Sequence, residues 1–68
     1  MTVDLKTYLC MRGIKQRKLS KRLKVTHGYV SRCVNGKQEW SPKAAKIVAS
    51  MLGLRMVEVL GNEINIDR

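Results

Sequence analysis

Acidic side chains are scarce in this sequence. Five Asp and Glu stand against fourteen Lys and Arg, which leaves a formal charge of +9 over 68 residues. Residues 6–46 hold twelve of the fourteen basic residues and a single acid, Glu39. A basic body followed by a near-neutral last third points to a polyanion facing one part of the surface. The plainer reading is a solvated basic surface kept for solubility. Cysteine is limited to Cys10 and Cys33, with no CxxC pair, and His27 is the lone histidine. That spacing excludes a zinc site, so no metal and no cofactor is expected. Both thiols are expected to be reduced, and Cys33 falls on an apolar helical face, as a packing residue would. Long apolar runs are missing too, which excludes a membrane span. Asp4 and Lys6 interrupt the start, so no secretory leader is expected. No nucleophile–base pair is present, and a chain this short has few residues for the walls of a cleft. Neither an enzyme nor a small-molecule site is therefore expected. Repeats, low-complexity tracts and dividing linkers are also lacking, which leaves one small domain near the lower limit for unaided folding.

What is present is helical periodicity. Leu5, Tyr8 and Leu9 predict a first helix over about 4–11, broken by Gly13. Leu19 and Leu23 predict a second over 15–23, with Arg17, Lys18, Lys21 and Arg22 around the rest and small Ser20 beside the apolar stripe, where another helix can approach. Thr26 is a good N-cap for a third, 27–35, whose inward face is Val30, Cys33 and Val34. Gly36 then stops it in the left-handed conformation. Asn-Gly can also mark a hairpin turn, but here it follows a helical pattern. Ser41 and Pro42 open a fourth helix, 42–52, with Trp40 and Ala45 spaced as a hydrophobic staple. Ala45, Val48, Met51 and Leu52 face inward, and Gly53 ends the helix. A short fifth helix, 56–60, ends at Gly61. The expected architecture is an all-α bundle of five short helices. The domain covers 1–61, and the tail 62–68, with alternating Ile64 and Ile66, is either a disordered end or a dimerisation strand.

Two short helices joined by Lys24-Val25-Thr26 form a helix-turn-helix, whose second helix enters the major groove of DNA with its first turn toward base edges. His27, Gly28 and Tyr29 would lead, with Ser31 and Arg32 one turn later. The stretch Gly13 to Lys37, GIKQRKLSKRLKVTHGYVSRCVNGK, resembles the lambda-repressor-like or Cro/CI family, also called the xenobiotic-response-element family. Gln16 matches the glutamine that starts the family's second helix. Leu19, Leu23, Val25 and Val30 match core positions, and Asn35-Gly36-Lys37 matches the N-G-K close of the recognition helix. SPKAAKIVASMLGL matches the fourth helix and its turn, so the resemblance covers about residues 4–61. The chain departs from the pattern at Ser20 (usually alanine), Lys24 (commonly glycine), and Leu9 and Val34 (frequently an arginine and a glutamate that pair). Joint replacement of that pair by apolar residues is self-consistent.

The resemblance implies a role for each matched residue. Gln16 would bond a phosphate or orient the recognition helix, bracketed by Lys15 and Arg17. His27, Tyr29 and Arg32 would reach base edges or nearby phosphates, and Ser31 either. Asn35, Lys37 and Gln38 would hold the backbone at the far end. Gly28 is open between close backbone approach to DNA and a helix start with no role. Several of Lys18, Lys21, Arg22 and Lys24 would be merely solvated. Tyr29 could instead cover the core with its ring, and Trp40 is expected as a staple.

The implied function is a sequence-specific double-stranded DNA-binding regulator, of the repressor or Cro-like kind found on phages and mobile elements, cytoplasmic and nucleoid-associated in a prokaryotic host. Its operator would have paired half-sites. Met56, Val57, Val59, Leu60, Ile64 and Ile66 would form a weak homodimer surface, strengthened on DNA, unless they simply finish the core. A regulatory protein partner could control it. The alternatives are an antitoxin-like or antirepressor interaction module, and a non-specific architectural or recombination accessory protein.

Overall fold

A computed structural model describes residues 1–67. The chain runs β1 (Thr2–Val3), α1 (Leu5–Arg12), α2 (Gln16–Leu23), α3 (His27–Val34), α4 (Pro42–Leu52), α5 (Met56–Gly61) and β2 (Ile64–Asn65). The protein is mostly helical, and the five helices fall where the apolar periodicity predicts them, with ends shifted by a residue. Three helices begin at a side-chain cap. Asp4 accepts from the Thr7 amide at 2.8 Å, Thr26 from Tyr29 at 3.1 Å, and Ser41 from Ala44 at 3.2 Å. Each satisfies an amide that has no partner inside its own helix.

The helix ends share one device. A residue in the left-handed conformation follows each helix: Gly13, Lys24, Gly36, Gly53 and Asn62, with φ between 53° and 76°. The next amide then folds back onto the helix, as Lys37 does to the Arg32 carbonyl at 2.9 Å. Lys24 is the costly member, because its Cβ crowds the adjacent carbonyl by roughly 1–2 kcal/mol. The fifth stop differs from expectation by one residue: Asn62, not Gly61, turns left-handed. The reason is tertiary. The Asn62 side-chain oxygen accepts from the Leu5 amide at 2.7 Å, tying the end of α5 to the start of α1.

The core draws on every helix. Leu5, Leu9, Leu19, Val30, Cys33, Val34, Trp40, Ala45, Val48, Leu52, Val59 and Ile64 are all buried in one cluster. Leu9 and Val34, the apolar stand-ins for the family's ion pair, both lie in it. Packing on α4 uses Ala44 and Ala49 beside Val48 and Leu52, while Met51 is only half-buried. Val25 is also more open than its core match implied, at 37% exposed, because it follows the left-handed turn at Lys24.

Of the tail 62–68, Arg68 lies outside the described residues, and Ile64–Asn65 form a strand. β2 pairs antiparallel with β1 inside the chain, Thr2 opposite Asn65 and Val3 opposite Ile64. The Ile66 amide continues the ladder to the Met1 carbonyl at 3.0 Å, and the terminal ammonium pairs with Asp67. Ile64 is fully buried and belongs to the core cluster. Glu58 explains how so short a ribbon holds. Its carboxylate is 5% exposed and accepts from the Arg55 amide and the Asn65 amide, each at 3.0 Å. One side chain thus closes the start of α5 and anchors β2. A two-strand ribbon this short has little stability of its own.

Candidate nucleic-acid interface

The interface is built from the packing of α2 on α3. Leu19 and Val30 are fully buried, and Leu23 packs half-buried against the same core. Ser20, buried between them in sequence, turns its hydroxyl back to the Arg17 carbonyl at 2.8 Å and needs no partner from α3. Burial of Val30, Cys33 and Val34 fixes the rotation of α3 and turns the opposite face out. Gly28, Arg32 and Asn35 follow at spacings of four and three, so they form one outward stripe, with Ser31 half-buried at its side. His27 is exposed at the leading end.

Internal bonds shape this stripe. The Asn35 side-chain Nδ2 donates to the Ser31 carbonyl at 2.8 Å and lies 3.4 Å from its hydroxyl. The Arg32 Nε–H donates to the Gln38 side-chain oxygen at 2.9 Å. Gln38, read in the sequence as a backbone-holding residue, is therefore brought to Arg32. Gly28 lies beside this arginine: a Cβ there would be in ordinary van der Waals contact with Arg32 Nη1, at 3.4 Å, so space does not require glycine at this position.

Tyr29 has a structural task. Its ring meets Trp40 edge-on, with centroids 6.0 Å apart and planes at 77°. Its hydroxyl accepts from the Ser41 amide at 3.0 Å. It covers the core with its ring and links the recognition helix to the start of α4, so the entry to α4 is held relative to the interface. Trp40 is buried ahead of the Ser41 cap, as the staple spacing predicted. Beneath Tyr29, burial pushes the Cys33 thiol above its ordinary range, against smaller opposing effects of Tyr29 and Arg32. Cys10 is exposed.

The start of α2 gathers positive charge from two sources. Lys15 occupies the cap position without a side-chain capping bond, and the first turn holds no acid. Arg17 and Lys18 sit in that turn, and a shallow depression is lined by Gly13, Lys15, Arg17, Lys18 and Lys21. A helix N-terminus already carries partial positive charge, so cations there are unfavourable by roughly 0.3–1 kcal/mol each unless an anion arrives. Gln16 is half-buried at the same end. The same inversion recurs on α4, where Lys43 lies in a first turn without acids. That cation was missed in the sequence, although a lysine just after a Ser-Pro cap is a legible signal. Arg12 is not part of this group; it stacks over the Tyr8 ring at 5.7 Å and bonds the Tyr8 hydroxyl.

A family model described as helix-turn-helix matches residues 5–59. The chain belongs to the Cro/CI-type, xenobiotic-response-element helix-turn-helix family. No curated protein and no solved structure gives a match. Membership makes this helix-turn-helix protein a DNA-binding regulator, with double-stranded DNA as its partner. The matched span ends at Val59, the last core residue of α5, and leaves out β2, whose Ile64 this chain nevertheless needs in its core. No helix among the described residues is long and apolar enough to cross a membrane.

Of the six residues expected at a self-association surface, Val59 and Ile64 are buried and Ile66 packs against the core. Val57 at 70% exposed, Leu60 at 47% and Met56 at 37% remain outward.

Proposed function

We propose that this helix-turn-helix protein is a sequence-specific transcriptional regulator of the repressor or Cro-like kind, encoded by a phage or mobile element. α3 lies in the major groove. His27, Ser31, Arg32 and Asn35 meet base edges or the phosphates beside them, while Lys15, Gln16, Arg17 and Lys37 hold the backbone. The observation that carries this reading is the union of two surfaces: the polar outward stripe of α3, and the uncapped cationic start of α2. The first suits a groove and the second suits a phosphate. The operator has paired half-sites, and a weak dimer, strengthened on DNA, forms through Met56, Val57 and Leu60.

The test is enrichment of a randomised duplex library at near-physiological salt, with an Arg32→Ala, Asn35→Ala double variant beside the native chain. Recovery of a short inverted repeat, lost in the variant, is the expected result. Binding without enrichment would instead make the protein architectural. Absence of binding even at low salt would leave a protein-docking role. Deleting the tail cannot probe such docking, since it removes Ile64 from the core. Val57→Glu with Leu60→Glu tests that surface without touching the fold.

A further inference from the structure

Arg32 is the longest side chain on the outward stripe of α3, and it is held by the loop that follows the helix. Its Nε–H is committed to Gln38 at 2.9 Å, from the loop that follows the helix. Its Nη1 lies beside Gly28, where a Cβ would stand 3.4 Å away. Gly28 is exposed, one turn nearer the N-terminal end that enters the groove. With Nη1 beside Gly28, the guanidinium lies along the helix toward that end. The bond to Gln38 uses the N–H on one edge of the fork and leaves the terminal pair of Nη groups directed elsewhere. A fork of two parallel donors fits two adjacent acceptors.

In the major groove, guanine presents O6 and N7 side by side as acceptors. Adenine sets a donor beside its acceptor, thymine pairs one acceptor with a methyl group, and cytosine offers a donor. We infer that Arg32 reads a guanine in each half-site, with Gln38 as the positioning residue that aims its guanidinium. This rests on the reading of α3 as the major-groove helix. Gln38 touches no base in this arrangement; it acts through Arg32. The competing account is that the Arg32–Gln38 bond merely ties the end of α3 to the following loop.

The experiment uses the full chain and the duplex enriched from the random library. Guanines of the half-site are replaced one at a time by 7-deazaguanine, which lacks the N7 acceptor, and by adenine. At one position, adenine should weaken the native chain roughly 5- to 150-fold, and 7-deazaguanine should weaken it measurably. Arg32→Lys should lose that sensitivity. Gln38→Ala should bring guanine and adenine toward parity at that position alone, and Gln38→Glu, which keeps the acceptor, should restore the preference. A motif with no guanine that depends on Arg32, or full preference retained in Gln38→Ala, overturns the inference and leaves the major-groove reading standing. If Gln38→Ala lowers only the melting temperature, the bond is structural and the inference fails. If no motif is enriched at all, both readings fall.

Discussion

Glu58→Ala is the substitution expected to damage this fold most for its size. The carboxylate is buried, and its oxygens serve the amides of Arg55 and Asn65, each at 3.0 Å. Removal of the cap at Arg55 costs about 1 kcal/mol, as for other helix caps. Loss of the charge-assisted bond to Asn65 costs about 1.5–3 kcal/mol, because that amide is left without its acceptor in a half-closed site. The sum is roughly 2.5–4 kcal/mol. A 68-residue domain has a total stability of about 3–10 kcal/mol, so the variant stands near the edge of folding. In a domain of this size each kcal/mol moves the midpoint about 4–8 °C, and a fall of some 10–30 °C is expected by circular dichroism. Arg55→Ala provides the contrast. The guanidinium of Arg55 lies 3.8 Å from Glu58 with a side chain 72% exposed, whereas the amide that Glu58 caps is backbone and survives the change. It should cost under about 0.5 kcal/mol. A Glu58→Ala midpoint within a few degrees of the native one, or equal losses for the two variants, would refute the argument.

Lys24→Gly should stabilise the protein by about 0.5–1 kcal/mol, since relief of the left-handed strain outweighs the added freedom of glycine in the unfolded chain; urea melts would register a higher midpoint at unchanged slope. Lys15→Ala and Arg17→Ala should each flatten the plot of log affinity against log salt by about 0.9, if each neutralises one phosphate. An unchanged slope would remove that residue from the interface. Val57→Glu with Leu60→Glu should abolish cooperative binding to paired half-sites while preserving the melting temperature, as read by titration and by sedimentation. Cys10 should be alkylated quickly in the folded protein and Cys33 only on unfolding. Because burial raises the Cys33 value in the folded state, its stabilising contribution is complete below the ordinary thiol range. That contribution is lost as pH rises through the raised value, which alkaline melts of a Cys33→Ala control would isolate.

The helices were legible in the sequence because each one carries its own information. Thr26 and Ser41 cap locally, Gly13, Gly36 and Gly53 permit the left-handed stop, and Val30, Cys33 and Val34 recur at the helical period. These are interactions within a turn or two of chain, and the spacing of residue types is enough to specify them. The family's N-G-K close at Asn35-Gly36-Lys37 was legible for the same reason. What escaped was decided between distant parts. Thr2 and Val3 are a strand because Ile64 and Asn65 are beside them, and that pairing is anchored by buried Ile64 and by Glu58 at the Asn65 amide. Asn62 takes the left-handed position that Gly61 was expected to fill, since it also supplies an acceptor to Leu5, fifty-seven residues away. Val59 and Ile64, which the sequence left open between a dimer surface and the core, are buried in the core. Gln38, read alone as a backbone-holding residue, accepts from an arginine in the preceding helix. Local periodicity thus determined the five helices and the basic body. Tertiary packing decided how the two ends of the chain close on each other and where the side chain of Arg32 lies, because those depend on partners that no local pattern brings together.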